Sequence, residues 1–288
     1  MPLFCISGLE INFPFFIPKL AVFESRNVQQ EKDVSSLLLQ ELALSRHTIG
    51  WVGGAQRQVE TWSSPSGVML KVSGGCDVFI SPGGQDLIPL EAGKPKTVLE
   101  GPDLEILLGP ALVLALALRG TWCLHASAAT FRGRLIAFLG ESGQGKSTLA
   151  AYLATAGRPQ WQLAADDILP VVPTAKRVDA RLHFPQLKLS VEAQPGPQLP
   201  ESLPLERICI LTQTDPDSQP GLQLTSPNEA IRLLIHHTAG TRLFDPALLS
   251  KHLAFCTRAA GQIPVYQLTY PHRRDTLPAI MEFLETLC

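Results

Sequence analysis

A chain of 288 residues, 45% of them hydrophobic, is long enough for one large domain or for a small one beside a medium one, each with a real core. Its formal net charge of -2 leaves no basic footprint, which argues against nucleic acid or an anionic membrane as a partner. Six cysteines (Cys5, Cys76, Cys123, Cys209, Cys256 and Cys288) are scattered without a CxxC pair, the pattern of thiols in a reducing cytoplasm rather than of a disulfide framework or a zinc site.

Near the N-terminus, Phe13–Ile17 is apolar, but Glu10, Pro14 and Pro18 interrupt it and no basic segment precedes a cleavage site, so it does not read as a signal peptide. Leucines at helical spacing predict an amphipathic helix over Val34–Leu44. The period then shortens. Thr48–Val52, Gln58–Trp62, Val68–Val72 and Cys76–Ile80 are strand candidates separated by Gly-Gly, Ser-Pro-Ser-Gly and Gly-Gly turns. They predict a mainly antiparallel β module over residues 1–105, a packing or substrate-docking unit, with a second domain over 106–288. The apolar run Ile106–Leu118 is too short to span a bilayer of about 30 Å, and with Gly109-Pro110 inside it reads as a buried helix starting near Pro110.

Trp122–Thr130, the turn Arg132-Gly133 and the apolar strand Leu135–Leu139 predict a hairpin with His125 on its first strand. A lone histidine in an apolar strand is commonly a satisfied core residue. Gly140 to Ser147 then fits GxxxxGK[ST] without a mismatch, in the required order of strand, loop and helix. Gly140, Gly143 and Gly145 permit turns closed to other residues. The N–H groups of Gly140, Glu141, Ser142, Gly143, Gln144, Gly145, Lys146, Ser147 and Thr148 can then converge on nucleotide phosphates. Lys146 adds a cation, Ser147 offers a hydroxyl to Mg²⁺, and the helix to Ala156, stopped by Gly157, turns its positive end to the anion.

Within Leu163–Val172 the pair Asp166-Asp167 separates apolar runs, as if a strand ended there at the carboxyl edge of a sheet; the plainer reading is a pair capping a turn. Ala193–Pro204 is proline-rich and reads as a surface loop. Arg207–Leu211 and Val265–Thr269 read as strands, and Pro227–Ile235, Leu248–Ala260 and Thr276–Leu287 as helices. His236-His237 has no spaced partner ligands and reads as a satisfied or exposed helix end. The whole is a mixed α/β (α+β) architecture.

An LSGGQ-like signature and an apolar strand ending in Asp-Glu are both absent, which argues against an ABC-type ATPase, and no NKxD element argues for a GTPase. Three ordered elements, Leu124-His-Ala-Ser-Ala128, Gly140-Glu-Ser-Gly-Gln-Gly-Lys-Ser147 and Ala165-Asp-Asp167, resemble the catalytic core of the HPr serine kinase/phosphorylase family, whose fold is related to phosphoenolpyruvate carboxykinase. The histidine lies fifteen residues before the first loop glycine (140 minus 125), as in that family, and the similarity covers about residues 120–175. It implies that Lys146 holds the β- and γ-phosphates of ATP and Ser147 ligates Mg²⁺. It further implies that Asp166 takes the proton of an attacking hydroxyl, that His125 contacts the transferred phosphate and the acidic pair, and that Asp167 serves the metal or its water shell.

Ala126 stands where the family has glycine, and the Glu-Ile-Arg-Gly-Leu-Gly signature is missing; His183–Leu189 occupies the equivalent region, with Glu192 nearby. Reverse phosphorylase activity and HPr as acceptor therefore do not carry over. The resulting expectation is an ATP- and Mg²⁺-dependent kinase acting on a serine hydroxyl of a protein or peptide, with homo-oligomeric assembly as in the related kinases. The alternatives are a nucleotide-binding regulatory module without transfer activity and a small-molecule kinase.

Overall fold

Turn chemistry sets the first sheets. The computed structural model describes residues 2–13, 17, 21, 24–27, 42–52, 54–96, 98–99, 102–157, 159–187, 189, 199–215, 218–271 and 273–287. Ser7 and Gly8, with φ of 54° and 72°, close a two-residue hairpin between β1 (Pro2–Ile6) and β2 (Leu9–Asn12). β3 (Glu24–Asn27) pairs with the other edge of β1. Among the described residues this small sheet buries Phe4, Ile6 and Ile11. A six-stranded antiparallel meander follows in chain order: β4 (Ala43–Val52), β5 (Ala55–Ser64), β6 (Gly67–Val72), β7 (Asp77–Ile80), β8 (Leu87–Glu91) and β9 (Lys94–Pro95). Met69, Phe79, Ile88 and Leu90 form its buried cluster. The four expected strands are there. The helix expected over Val34–Leu44 lies outside the described residues as far as 41, and its last two positions, Ala43 and Leu44, open β4.

The buried apolar run is helical but starts earlier than its proline suggests. α1 (Asp103–Ile106) continues through a π-helical turn, Leu107–Ala111, into α2 (Leu112–Leu118). Pro110 sits inside that turn. Its missing N–H breaks the i to i−4 ladder, and the wider turn accommodates the ring without ending the helix. Among the described residues no helix is long and apolar enough to cross a membrane.

The contacts divide the chain into two compact units, Met1–Trp122 with Gly240–Lys251, and Cys123–Ala239 with His252–Cys288. The division lies beyond residue 105, because the helical run ending at Leu118 belongs with the meander, and a later segment returns to the first unit.

In the second unit, Arg132 and Gly133 (φ of 50° and 82°) close the hairpin of β10 (Trp122–Phe131) and β11 (Arg134–Leu139), with Phe131 opposite Arg134. The remaining elements are α3 (Lys146–Ala156), β12 (Trp161–Pro173), β13 (Val178–Arg181), β14 (Ser202–Gln213), β15 (Gly221–Leu224), α4 (Pro227–His236), α5 (Pro246–Ala260), β16 (Val265–Tyr270) and α6 (Leu277–Thr286). The sheet order is β11-β10-β12-β13-β14-β16-β15, and β11 also pairs with β14, which bends the sheet back on itself. β11, β14 and β16 run parallel. The loop expected to extend to Pro204 is shorter at its end: Ser202 to Pro204 already belong to β14, paired with β13.

α3 buries Leu149, Ala150 and Leu153, and α6 buries Leu277, Ile280 and Leu284, in one cluster with Phe138, Trp161 and Leu268. These spacings are those of one helical face. Trp161 packs tilted against Phe131 with ring centroids 4.8 Å apart, and its indole N–H donates to Glu285 Oε1 at 2.9 Å, satisfying the one polar atom the ring carries into the core.

His252 is buried beside Thr238 and Cys256. The Thr238 hydroxyl donates its single hydrogen to Leu234 O at 2.7 Å, so it accepts from His252 Nε2–H at 2.9 Å, which fixes the tautomer. Burial holds this imidazole down at about 4, against an ordinary 6.5. The native state therefore refuses a proton that the unfolded chain accepts below pH 6.5. Stability is complete above that value and is lost as pH falls towards 4, by up to about 1.4 kcal/mol per pH unit for this group. Urea unfolding across pH 7 to 5 should show the midpoint falling, with a shallower fall in His252→Asn; identical slopes would refute the assignment.

Candidate functional site

The glycine-rich loop joins the end of β11 at Leu139 to the start of α3 at Lys146. It therefore lies at the carboxyl end of β11, which runs parallel to β14, as β14 does to β16, and the carboxyl ends of parallel strands are where connecting loops build sites. Gly140, Gly143 and Gly145 all have positive φ, at 151°, 86° and 80°. A Cβ on Gly140 would come within 2.5 Å of Gln144 Oε1, whereas one on Gly143 would meet nothing within 4 Å, so the loop is braced on one side and open on the other. Gln144 Oε1 also accepts the N–H of Glu141 at 3.2 Å.

Gly145, left-handed, precedes α3 and supplies no side-chain cap. The first N–H groups of the helix thus face the loop at the positive end of its dipole. Lys146 is buried (8% exposed) and curls back, donating to Gly140 O at 2.8 Å and Glu141 O at 3.1 Å. Ser147 and Thr148 are exposed.

The acidic pair does not end a strand, as the sequence suggests, but interrupts one. β12 runs from Trp161 to Pro173 straight through it. Asp167 has φ of 98°, in the region that favours glycine. The N–H groups of Asp166 and Ile168, which a regular strand would hold about 6.6 Å apart, both donate to Gln186 Oε1, at 3.0 and 3.4 Å. Gln186 Nε2 in turn donates to Ile168 O at 2.9 Å. This is a kink clamped by one buried amide.

The kink changes which way the acids point. Successive strand residues face opposite sides, so a regular β12 could not present both carboxylates to one face. Here Asp166 Oδ1 accepts from Ser127 Oγ at 2.9 Å, and Asp167 Oδ1 lies 3.3 Å from His125 Nδ1. His125 and Ser127 stand at i and i+2 of β10 and share a face. Ser127 Oγ also lies 3.4 Å from Ser147 Oγ, so a chain of oxygens runs from Asp166 to the first turn of α3.

Asp166, His125, Asp167 and Ser147 are thereby brought around one face. Ser127 and Gln186 are the residues that sequence reasoning passed over. Ser127 was legible as the i+2 neighbour of His125; Gln186 carries no sequence signal for its role. Beyond these, His236 Nε2 lies 2.7 Å from Glu141 Oε1, which keeps the Glu141 carboxyl below its usual range. The histidine pair is a helix end, as expected, but it has a partner 95 residues away. Burial first, and His236 second, push the His237 imidazole down to about 4.

The donor chemistry suits particular groups. Ser127, Ser147 and Asp166 offer oxygen only, the set a hard cation such as Mg²⁺ takes, and an open glycine loop before an uncapped helix with a lysine suits a polyphosphate. Cys256 beside His252 is fully buried, and burial pushes its thiol up to about 12, away from the thiolate form that attacks.

The clamp and the strained residue generate opposite expectations. Asp167→Gly should relax the backbone and raise stability by about 1 kcal/mol. Gln186→Leu should strip two buried N–H groups of their acceptor and lower it by about 1–3 kcal/mol. Urea midpoints test both; a destabilised glycine variant would contradict the strain.

No family profile matches the sequence, and no curated protein matches it. Among solved structures, the chain is similar to the Hpr(Ser) kinase/phosphatase from Coxiella burnetii. The two share 14% identity over 57% of this chain and 94% of that chain, with a TM-score of 0.35. A likeness of that size carries no argument about activity, which rests on the residues themselves.

Proposed function

We propose that the chain is an ATP- and Mg²⁺-dependent phosphotransferase that moves the γ-phosphoryl group to a hydroxyl, a serine of a protein or peptide. The observation that carries this reading is the Asp166–Ser127–Ser147 chain, at 2.9 and 3.4 Å, which links a buried carboxylate to the first turn of the helix behind the glycine loop. A module that only binds nucleotide needs the loop but no base to take a proton from an acceptor hydroxyl.

In this reading the N–H groups of residues 140–148 and the Lys146 ammonium hold the phosphates, with Lys146 leaving its loop carbonyls for the anion. Mg²⁺ would be held by Ser147 with Asp167 at its shell and would supply neutralisation of the developing phosphate charge. Ser127 orients Asp166 by occupying Oδ1, which leaves Oδ2 to take the proton. The acceptor oxygen forms its bond to the γ-phosphorus, the bond to the bridging oxygen breaks, ADP leaves, and the acceptor's proton passes to Asp166. Such a transition state is loose, so positioning and charge neutralisation do most of the work and a carboxylate suffices as base. His125, held by Asp167 at 3.3 Å, would contact the transferred group. The same reading makes the protein cytoplasmic and homo-oligomeric.

The test is transfer of label from γ-labelled ATP with Mg²⁺ to HPr, to free serine and to peptides encoded beside the gene. Asp166→Asn should lower transfer about a hundred- to ten-thousand-fold while leaving ATP affinity within about twofold. Full transfer by that variant would remove Asp166 as the base. ATP binding without transfer to any acceptor would favour the regulatory-module reading.

A further inference from the structure

We infer that Glu141, His236 and His237 form a binding site for one divalent cation of the zinc class, at the entrance of the glycine loop. Their ligand atoms all lie within 4.8 Å of one another. Glu141 follows the first loop glycine, His236 is the last residue of α4, and His237 caps that helix. A regular helix would splay two adjacent side chains about its axis; the end of α4 lets both rings turn to one carboxylate, and they meet edge to face at 4.8 Å.

An ordinary ion pair is the competing account, and it needs only His236. The second imidazole decides between them. His237 is 7% exposed, yet one of its ring nitrogens lies within 4.8 Å of the ligand atoms of both Glu141 and His236, a position that the ion pair does not require. Its place is fixed by the backbone: His237 N–H donates to Leu233 O at 2.9 Å, and His237 O accepts from His125 N–H at 2.7 Å.

Two imidazoles and a carboxylate are the donors of zinc, cobalt and nickel, and do not suit Mg²⁺, which prefers oxygen. Donors around a tetrahedral zinc stand about 3.4 Å apart. Glu141 and His236, both exposed, can close to that distance by changing rotamer, while His237 stays in place. Three protein ligands leave a fourth position for water or an anionic oxygen. The ion would also tie the loop to α4 at the residue whose carbonyl Lys146 holds at 3.1 Å. The site does not depend on phosphoryl transfer and stands or falls without nucleotide.

Titration of the full chain with CoCl₂ in the absence of nucleotide tests it. One equivalent should bind with visible d–d bands of a four-coordinate centre and without the near-ultraviolet thiolate-to-cobalt band that a cysteine site would give, and ZnCl₂ should bleach the spectrum. Glu141→Gln and His236→Ala, at exposed positions that the fold tolerates, should each weaken binding about tenfold or more. No d–d spectrum in the native chain, a thiolate band, or unchanged affinity in both variants would overturn the site.

Discussion

One buried amide holds the candidate site in its present form. Gln186 accepts from two amides of β12 and donates to Ile168 O, and so keeps β12 kinked at Asp167. Without that clamp, β12 would alternate and one carboxylate would turn away from His125 and Ser127. The backbone strain at Asp167, of order 1–3 kcal/mol, is offset by three hydrogen bonds from a side chain that is itself 2% exposed. Local instability and functional geometry are therefore the same feature seen at two levels.

The second constraint is sheet topology. β11 gains an antiparallel neighbour through a two-residue turn and a parallel one through β14, and only the second places the glycine loop at a shared carboxyl edge. α3 then packs Leu149 and Leu153 into the cluster that α6 closes, so the helix whose first turn faces the loop is anchored by its far side. Lys146 adds a tie inside the loop by bonding two of its carbonyls.

What was legible in the sequence had local causes. Arg132-Gly133 declares its hairpin because both residues take positive φ, and Gly140, Gly143 and Gly145 declare the loop for the same reason. Alternation in the meander and the Ser226-Pro227 start of α4 are equally local. The rest depended on distance. Gln186 meets Asp166 twenty residues away, and Glu141 meets His236 across 95, with nothing in either segment to announce the pairing. Pro110 misled because a π-turn can absorb a proline in a buried helix, and the unit boundary was hidden because Gly240–Lys251 rejoins the first unit from far along the chain. Leu222 and Leu224, spaced by polar Gln223, make β15 too short to stand out.

The parallel pairing of β11 with β14 has a consequence for how the protein comes into being. Leu139 pairs with Ile210, so the strand that carries the loop finds this neighbour only after a long intervening stretch of chain has been made and ordered. Closing such a separation is entropically costly and slow compared with the neighbouring hairpin, which can form at once. The strand support behind the glycine loop is thus set by closure between distant parts of the chain and not by the tight turn beside it.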